Sequence, residues 1–142
     1  MNGTSIRTLW VVGFLGLIWN IYGVYQFIGS VMATEDSLIT MGMTMEQAAL
    51  MTSYPFWMTL AFGIGVFGGL IGSILLLLKK ALAQSVFLAS LTGYVILYIG
   101  DITEGVFAAL GTPQIVILTS VVLIAFGLWW FARSSQRGGV LT

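Results

Sequence analysis

Four apolar runs, each close to the roughly 20 residues a helix needs to cross a bilayer, constrain this chain more than any other feature. They cover about residues 9–32, 56–78, 81–100 and 113–132. Asn20 and Gln26 interrupt the first. Pro55 stands at the first turn of the second, where a missing N–H costs least. Thr112-Pro113 reads as an N-cap followed by proline at the first position of the fourth. No strand alternation or turn spacing argues for a barrel. The expected architecture is an all-α membrane protein, with residues 1–142 forming a single four-helix domain.

The first run has a competitor reading. Arg7 ahead of an apolar stretch that ends at Val31-Met32-Ala33 fits a secretory leader loosely. A leader's apolar region has only about 7–15 residues, however, and this one is longer. It is read as a transmembrane helix.

Charge placement predicts orientation. Arg7, Lys79, Lys80, Arg133 and Arg137 fall in the N-terminal tail, the second connection and the C-terminal tail. Glu35, Asp36, Glu46, Asp101 and Glu104 fall in the first and third connections. Only an even number of spans keeps the two sets on opposite faces. The positive-inside rule then puts both termini in the cytoplasm of a bacterial inner (plasma) membrane. In the first connection, Thr44 three residues before Gln47 has capping-box spacing. It predicts a short periplasmic amphipathic helix over Met45–Thr52, between the first two spans.

Composition narrows the chemistry. The chain is 58% hydrophobic and 7% charged, with no cysteine and no histidine. Soluble domains carry about 25% charged residues, so water is not the main solvent here. Without cysteine there are no disulfides or thiolate metal sites; without histidine, bis-imidazole haem and most zinc and copper sites are excluded. No metal, cofactor or catalytic residue is expected. Five basic residues split among three pieces make no nucleic-acid patch.

Glycine in a helix interior costs about 0.5–1 kcal/mol relative to alanine, yet residues 61–80 hold five. In lipid, close packing rather than hydrophobicity draws helices together, and small residues permit it. Gly65, Gly68, Gly69 and Gly72 therefore form an expected packing strip, with Ala61 and Ser73 extending it. Gly13, Gly16, Asn20 and Gly23 alternate in steps of three and four, a 3.5-residue seam. Ala89, Gly93 and Gly100 on the third helix and Ser120 and Gly127 on the fourth are further candidates. The neighbour is either another helix of this chain or another subunit.

Few polar groups are left for chemistry. Asn20 and Gln26 are candidates for an interhelical hydrogen bond or for a polar pathway with Tyr22, Tyr94 and Tyr98. Asp101 and Glu104, three apart, share a face if the third helix continues. An unbroken helix to Leu110 would be about 45 Å long and overshoot the bilayer. A break near Gly100 is expected, with both carboxylates solvated at the interface; the alternative is a site for a cation or polar ligand.

The stretches "WNIYGVYQF" (19–27), "MGMTMEQ" (41–47), "YPFWM" (54–58) and "GIGVFGGLIGSILLLL" (63–78) resemble a group of small bacterial four-helix inner-membrane proteins, some labelled sugar transporters. The likeness covers about the first 80 residues and implies no catalytic residue. Small multidrug exporters also have four helices but use a glutamate in the first helix, which this chain lacks. The leading expectation is a non-enzymatic accessory or structural subunit of a larger membrane complex or a homo-oligomer, partnered by the lipid bilayer and other membrane subunits. The alternatives are a facilitator for a neutral polar solute such as a sugar, and an enzyme with carboxylates at the outer face.

Overall fold

Two threonine caps open the connection after the first long helix, and they show how local sequence sets this fold. Thr34 accepts from the Ser37 amide at 3.1 Å while the Thr34 amide donates to the Ser37 hydroxyl at 3.0 Å. Thr44 and Gln47 repeat the reciprocal arrangement, satisfying amides that a helix start leaves without partners. The computed structural model describes residues 6–142, which fold as α1 (Ile6–Met32), α2 (Glu35–Thr40), α3 (Met45–Thr52), α4 (Phe56–Leu77), α5 (Leu82–Thr103), α6 (Val106–Leu110) and α7 (Thr112–Arg137). α1, α4, α5 and α7 are long and apolar enough to cross a membrane. α3 has the expected bounds; α2 is an addition.

Two boundaries differ from expectation. α5 does not break at Gly100 but runs to Thr103, and the chain turns at Gly105 (φ 78°). Thr112 is not the N-cap of α7: Gly111 (φ 79°) holds that position and Pro113 lies within the first turn. Residues 101–112 are thus a helix end, a left-handed glycine and a short helix, α6.

α4 and α7 end in the same way. The Lys80 amide reaches the Leu75 carbonyl at 2.9 Å and the Lys79 amide reaches Leu76 at 3.0 Å. Val140 to Ser135 and Gly139 to Gln136 repeat this pattern at the end of α7, a Schellman closure that needs a left-handed residue. Glycine fills that place at Gly139 (φ 81°), whereas Lys79 (φ 60°) fills it after α4.

The long helices run alternately up and down. Gly13, Gly69 and Gly63 face Leu77, Asn20 and Phe27, which sets α1 antiparallel to α4. Gly65, Gly68, Gly72 and Gly100 face Tyr94, Ser90, Phe87 and Met58, which sets α4 antiparallel to α5. α7 packs on α5, while α1 and α7 barely touch. One end of the bundle carries Lys79, Lys80 and the C-terminus, where the Thr142 amide donates to the Lys79 carbonyl at 2.9 Å. Leu9, Leu76, Phe87, Ala132 and Leu141 are buried in a cluster at this basic end. The opposite, acidic end is covered by α2, α3 and α6, and Gln47 joins α3 to the Ala109 carbonyl of α6 at 3.0 Å.

The small residues split into two groups. Gly13, Gly16 and Gly23 of α1 and the glycines of α4, with Gly93 and Gly100, face neighbours within the chain. At Gly93 a Cβ would lie 2.7 Å from the Ala61 carbonyl oxygen, so the backbones of α4 and α5 are in contact there. Ser90 adds an interhelical hydrogen bond to the Gly65 carbonyl at 2.5 Å. Ala89, Ser120 and Gly127 are exposed, and nothing lies within 4 Å of a Cβ at Gly127. They do not pack within this chain.

Candidate functional site

Because α1 and α7 approach each other on the basic side, where Gly16 meets Leu128 and Leu9 shares a cluster with Ala132, they leave a gap toward the acidic end. The gap is a cavity of about 490 Å³. α1 contributes Trp19, Tyr22, Gly23, Gln26 and Ser30; α4 and α5 contribute Thr59, Phe62, Val66, Tyr94 and Leu97; α7 contributes Gln114, Leu118 and Val121. Met51, Thr52 and Tyr54 cover it at the acidic end. Tyr22, Gln26 and Ser30 are exposed, so this is a cleft with a mouth rather than a sealed void.

On the basic side the helices close. Asn20 lies over Gly69 and donates to the Gly16 carbonyl at 2.7 Å. Ser73 is fully buried, and Leu128 is 9% exposed. A Cβ at Gly16 would stand 3.0 Å from the Ser73 hydroxyl and 3.1 Å from Leu128. The cleft therefore ends part-way along the bundle.

Asp101 stands behind the acidic end of the cleft, with no exposed surface. The Tyr54 hydroxyl donates to Oδ1 at 2.8 Å and the Gln114 side-chain amide donates to Oδ2 at 3.0 Å. One carboxyl group thereby ties together the segment before α4, the end of α5 and the first turn of α7. Gly100 makes this possible: a Cβ there would sit 2.8 Å from Trp57 and 2.9 Å from Met58, so the start of α4 packs closely on α5 just beside Asp101. A buried carboxyl group requires such partners, since burial without them costs several kcal/mol. Tyr54 is held above the ordinary tyrosine range, first by its own burial, then by the neighbouring Asp101 charge and the hydrogen bond to it.

The carboxylate pair expected at the interface does not form a pair. Asp101 is buried, because it continues the inward face of α5, whereas Glu104 is exposed where that helix ends. The expectation that Asp101 is a solvated interfacial charge is thus overturned. The polar residues of the first span also separate. Gln26 lines the cleft and donates to the Tyr22 hydroxyl at 2.9 Å, while Asn20 is 2% exposed and seals the bundle below. Tyr94 lines the cleft; Tyr98 instead meets the Thr119 hydroxyl at 3.0 Å and stacks edge-on against Phe107.

Sequence reasoning does not join Tyr54 or Gln114 to Asp101; it reads Tyr54, with Phe56 and Trp57, as part of an interfacial aromatic belt. The available signal was the stripe Phe87, Ser90, Tyr94, Leu97 and Asp101, in steps of three and four, all buried. It places Asp101 on the buried face and demands donors opposite it. No group of three or more His, Cys, Asp or Glu suited to a metal ion occurs among the described residues.

The chain matches no protein-family model, no curated protein and no solved structure.

Proposed function

We propose that the chain is a non-enzymatic four-span protein of a bacterial inner membrane that binds a small amphipathic molecule in the cleft between α1 and α7. The observation that carries this reading is the cleft itself. Its volume of about 490 Å³ falls in the range of small-molecule sites, roughly 300–1,000 Å³, which are mostly apolar with a few placed polar groups. Aromatic and aliphatic side chains dominate its wall, and the polar groups gather toward the acidic end. Such a wall suits a molecule with one apolar body and one polar head better than a polyol needing many hydrogen bonds.

Orientation follows from the separation of charge along the bundle. The basic end, with both termini, lies in the cytoplasm, and α2, α3 and α6 lie on the outer face. A role as accessory subunit draws less support, because the dense glycine strip of α4 and Gly13, Gly16 and Gly23 of α1 meet helices of the same chain. The exposed small residues Gly29, Ala89, Ser120 and Gly127 are scattered.

The test uses the full chain in phosphatidylcholine nanodiscs, with 2-phenylethanol as probe and ligand-observed NMR as readout. Saturable binding is expected, together with its loss in Val121→Trp, which fills the cleft from α7. Absence of saturable binding, or equal binding by Val121→Trp, overturns the reading.

A further inference from the structure

We infer that the acidic end of the cleft recognises a positively charged, hydrogen-bond-donating head, making the preferred ligand a small aromatic or aliphatic ammonium compound. This deepens the cleft reading above and rests on it. The argument is one of donors and acceptors. The Tyr54 hydroxyl has one proton, and it is directed to Asp101 Oδ1. Gln114 directs its amide N–H to Oδ2, so its carbonyl oxygen remains for other partners. Both residues line the cleft. What they offer an incoming molecule is therefore mostly acceptor oxygen, the Gln114 carbonyl and the lone pairs of the Tyr54 hydroxyl, against the one remaining N–H of the Gln114 amide.

The charge behind them has the same sense. Every cationic side chain of the chain, Arg7, Lys79, Lys80, Arg133 and Arg137, belongs to the basic end of the bundle. Asp101 is held by two neutral donors and lies one hydrogen bond behind the cleft wall. An ammonium group at Tyr54 and Gln114 would supply the missing opposite charge in surroundings that screen it little. Trp19, Phe62 and Tyr94 add aromatic rings to the wall, a residue type whose faces attract cations as well as apolar bodies. A carboxylate or phosphate there would face two acceptor oxygens and the like charge of Asp101 with a single N–H to receive it, so the same geometry disfavours anions.

The experiment compares phenethylammonium, isosteric 2-phenylethanol and 3-phenylpropionate at pH 7, on the full chain in nanodiscs of zwitterionic lipid. The ammonium probe is expected to bind about tenfold or more tighter than the alcohol, and the carboxylate not at all. In Asp101→Asn the ammonium and alcohol affinities converge while alcohol binding persists, which also reports that the cleft is intact. Tyr54→Phe keeps the ring but removes the acceptor, and lowers the ammonium preference in the same direction. Equal affinities in the wild type, or an ammonium preference unchanged in both variants, overturn this inference and leave the cleft reading standing. Binding of none of the three overturns both.

Discussion

Asn20 lies across Gly69 so closely that its side-chain amide fills the space a Cβ at Gly69 would need. A buried polar side chain on α1 and a missing side chain on α4 are thus one packing unit, closed by the Asn20 hydrogen bond to the Gly16 carbonyl at 2.7 Å.

Gly69→Ala must displace Asn20, because the obstructing atoms belong to a buried amide with a fixed partner. Overpacking of this kind costs about 1–3 kcal/mol. Combined with Asn20→Ala, the same change costs less, giving a coupling of about 0.5–3 kcal/mol. Gly127→Ala, in open space on α7, is expected to be neutral or stabilising by up to about 1 kcal/mol. Thermal or denaturant unfolding in one detergent checks all four variants. An equal loss at positions 69 and 127 would refute the packing account.

Much of this arrangement is legible in the sequence, and the exceptions have physical causes. The four long helices follow from run length alone, and α3 follows from the Thr44–Gln47 spacing. α2 escapes because it is six residues long with one buried apolar residue, Leu38, and its cap uses serine rather than glutamate or glutamine at the third position. Asp101 is misread when each charge near a helix end is assigned to solvent. Its place on the Phe87–Ser90–Tyr94–Leu97 stripe outweighs that rule, because Tyr54 and Gln114 supply hydrogen bonds from two other elements. The cleft itself is not legible: it depends on α1 and α7 diverging, and periodicity within one helix says nothing about the spacing of two others.

Lys79 and Gly139 offer a matched comparison. Both close a helix in left-handed backbone, at φ 60° and 81°, but only one is glycine. The left-handed region costs a side-chain-bearing residue about 1 kcal/mol. Lys79→Gly relieves this, with part of the gain offset by greater freedom in the unfolded chain; a net rise of roughly 0.5 kcal/mol is expected. Gly139→Ala meets no neighbour within 4 Å, so its loss, about 1 kcal/mol, comes from backbone conformation alone. Opposite signs in unfolding experiments are the expected outcome.

Tyr54 sets a pH dependence whose sign can be worked out. Its folded-state pKa is raised, chiefly by burial and then by Asp101, above an unfolded value of about 10. The stability tied to keeping this proton is fully present below about pH 10 and is lost as pH rises toward the folded-state value. Unfolding midpoints of the wild type should therefore fall more steeply above about pH 10 than those of Tyr54→Phe. Parallel curves would show that the phenol is not held protonated by its site.

The absence of native cysteine makes the membrane arrangement directly testable with single-cysteine variants. Met41, at the turn after α2, is 79% exposed, and Gln136, near the end of α7, is exposed at the other end of the bundle. Under the positive-inside assignment, an impermeant maleimide added to intact spheroplasts labels Met41→Cys and spares Gln136→Cys. Inverted membrane vesicles give the reverse pattern. The opposite pattern in both preparations would invert the orientation and leave the bundle unchanged. Labelling of both positions from one side would be more damaging. Met41 and Gln136 lie at opposite ends of helices long enough to cross the bilayer, so shared access would mean that the long helices do not span it.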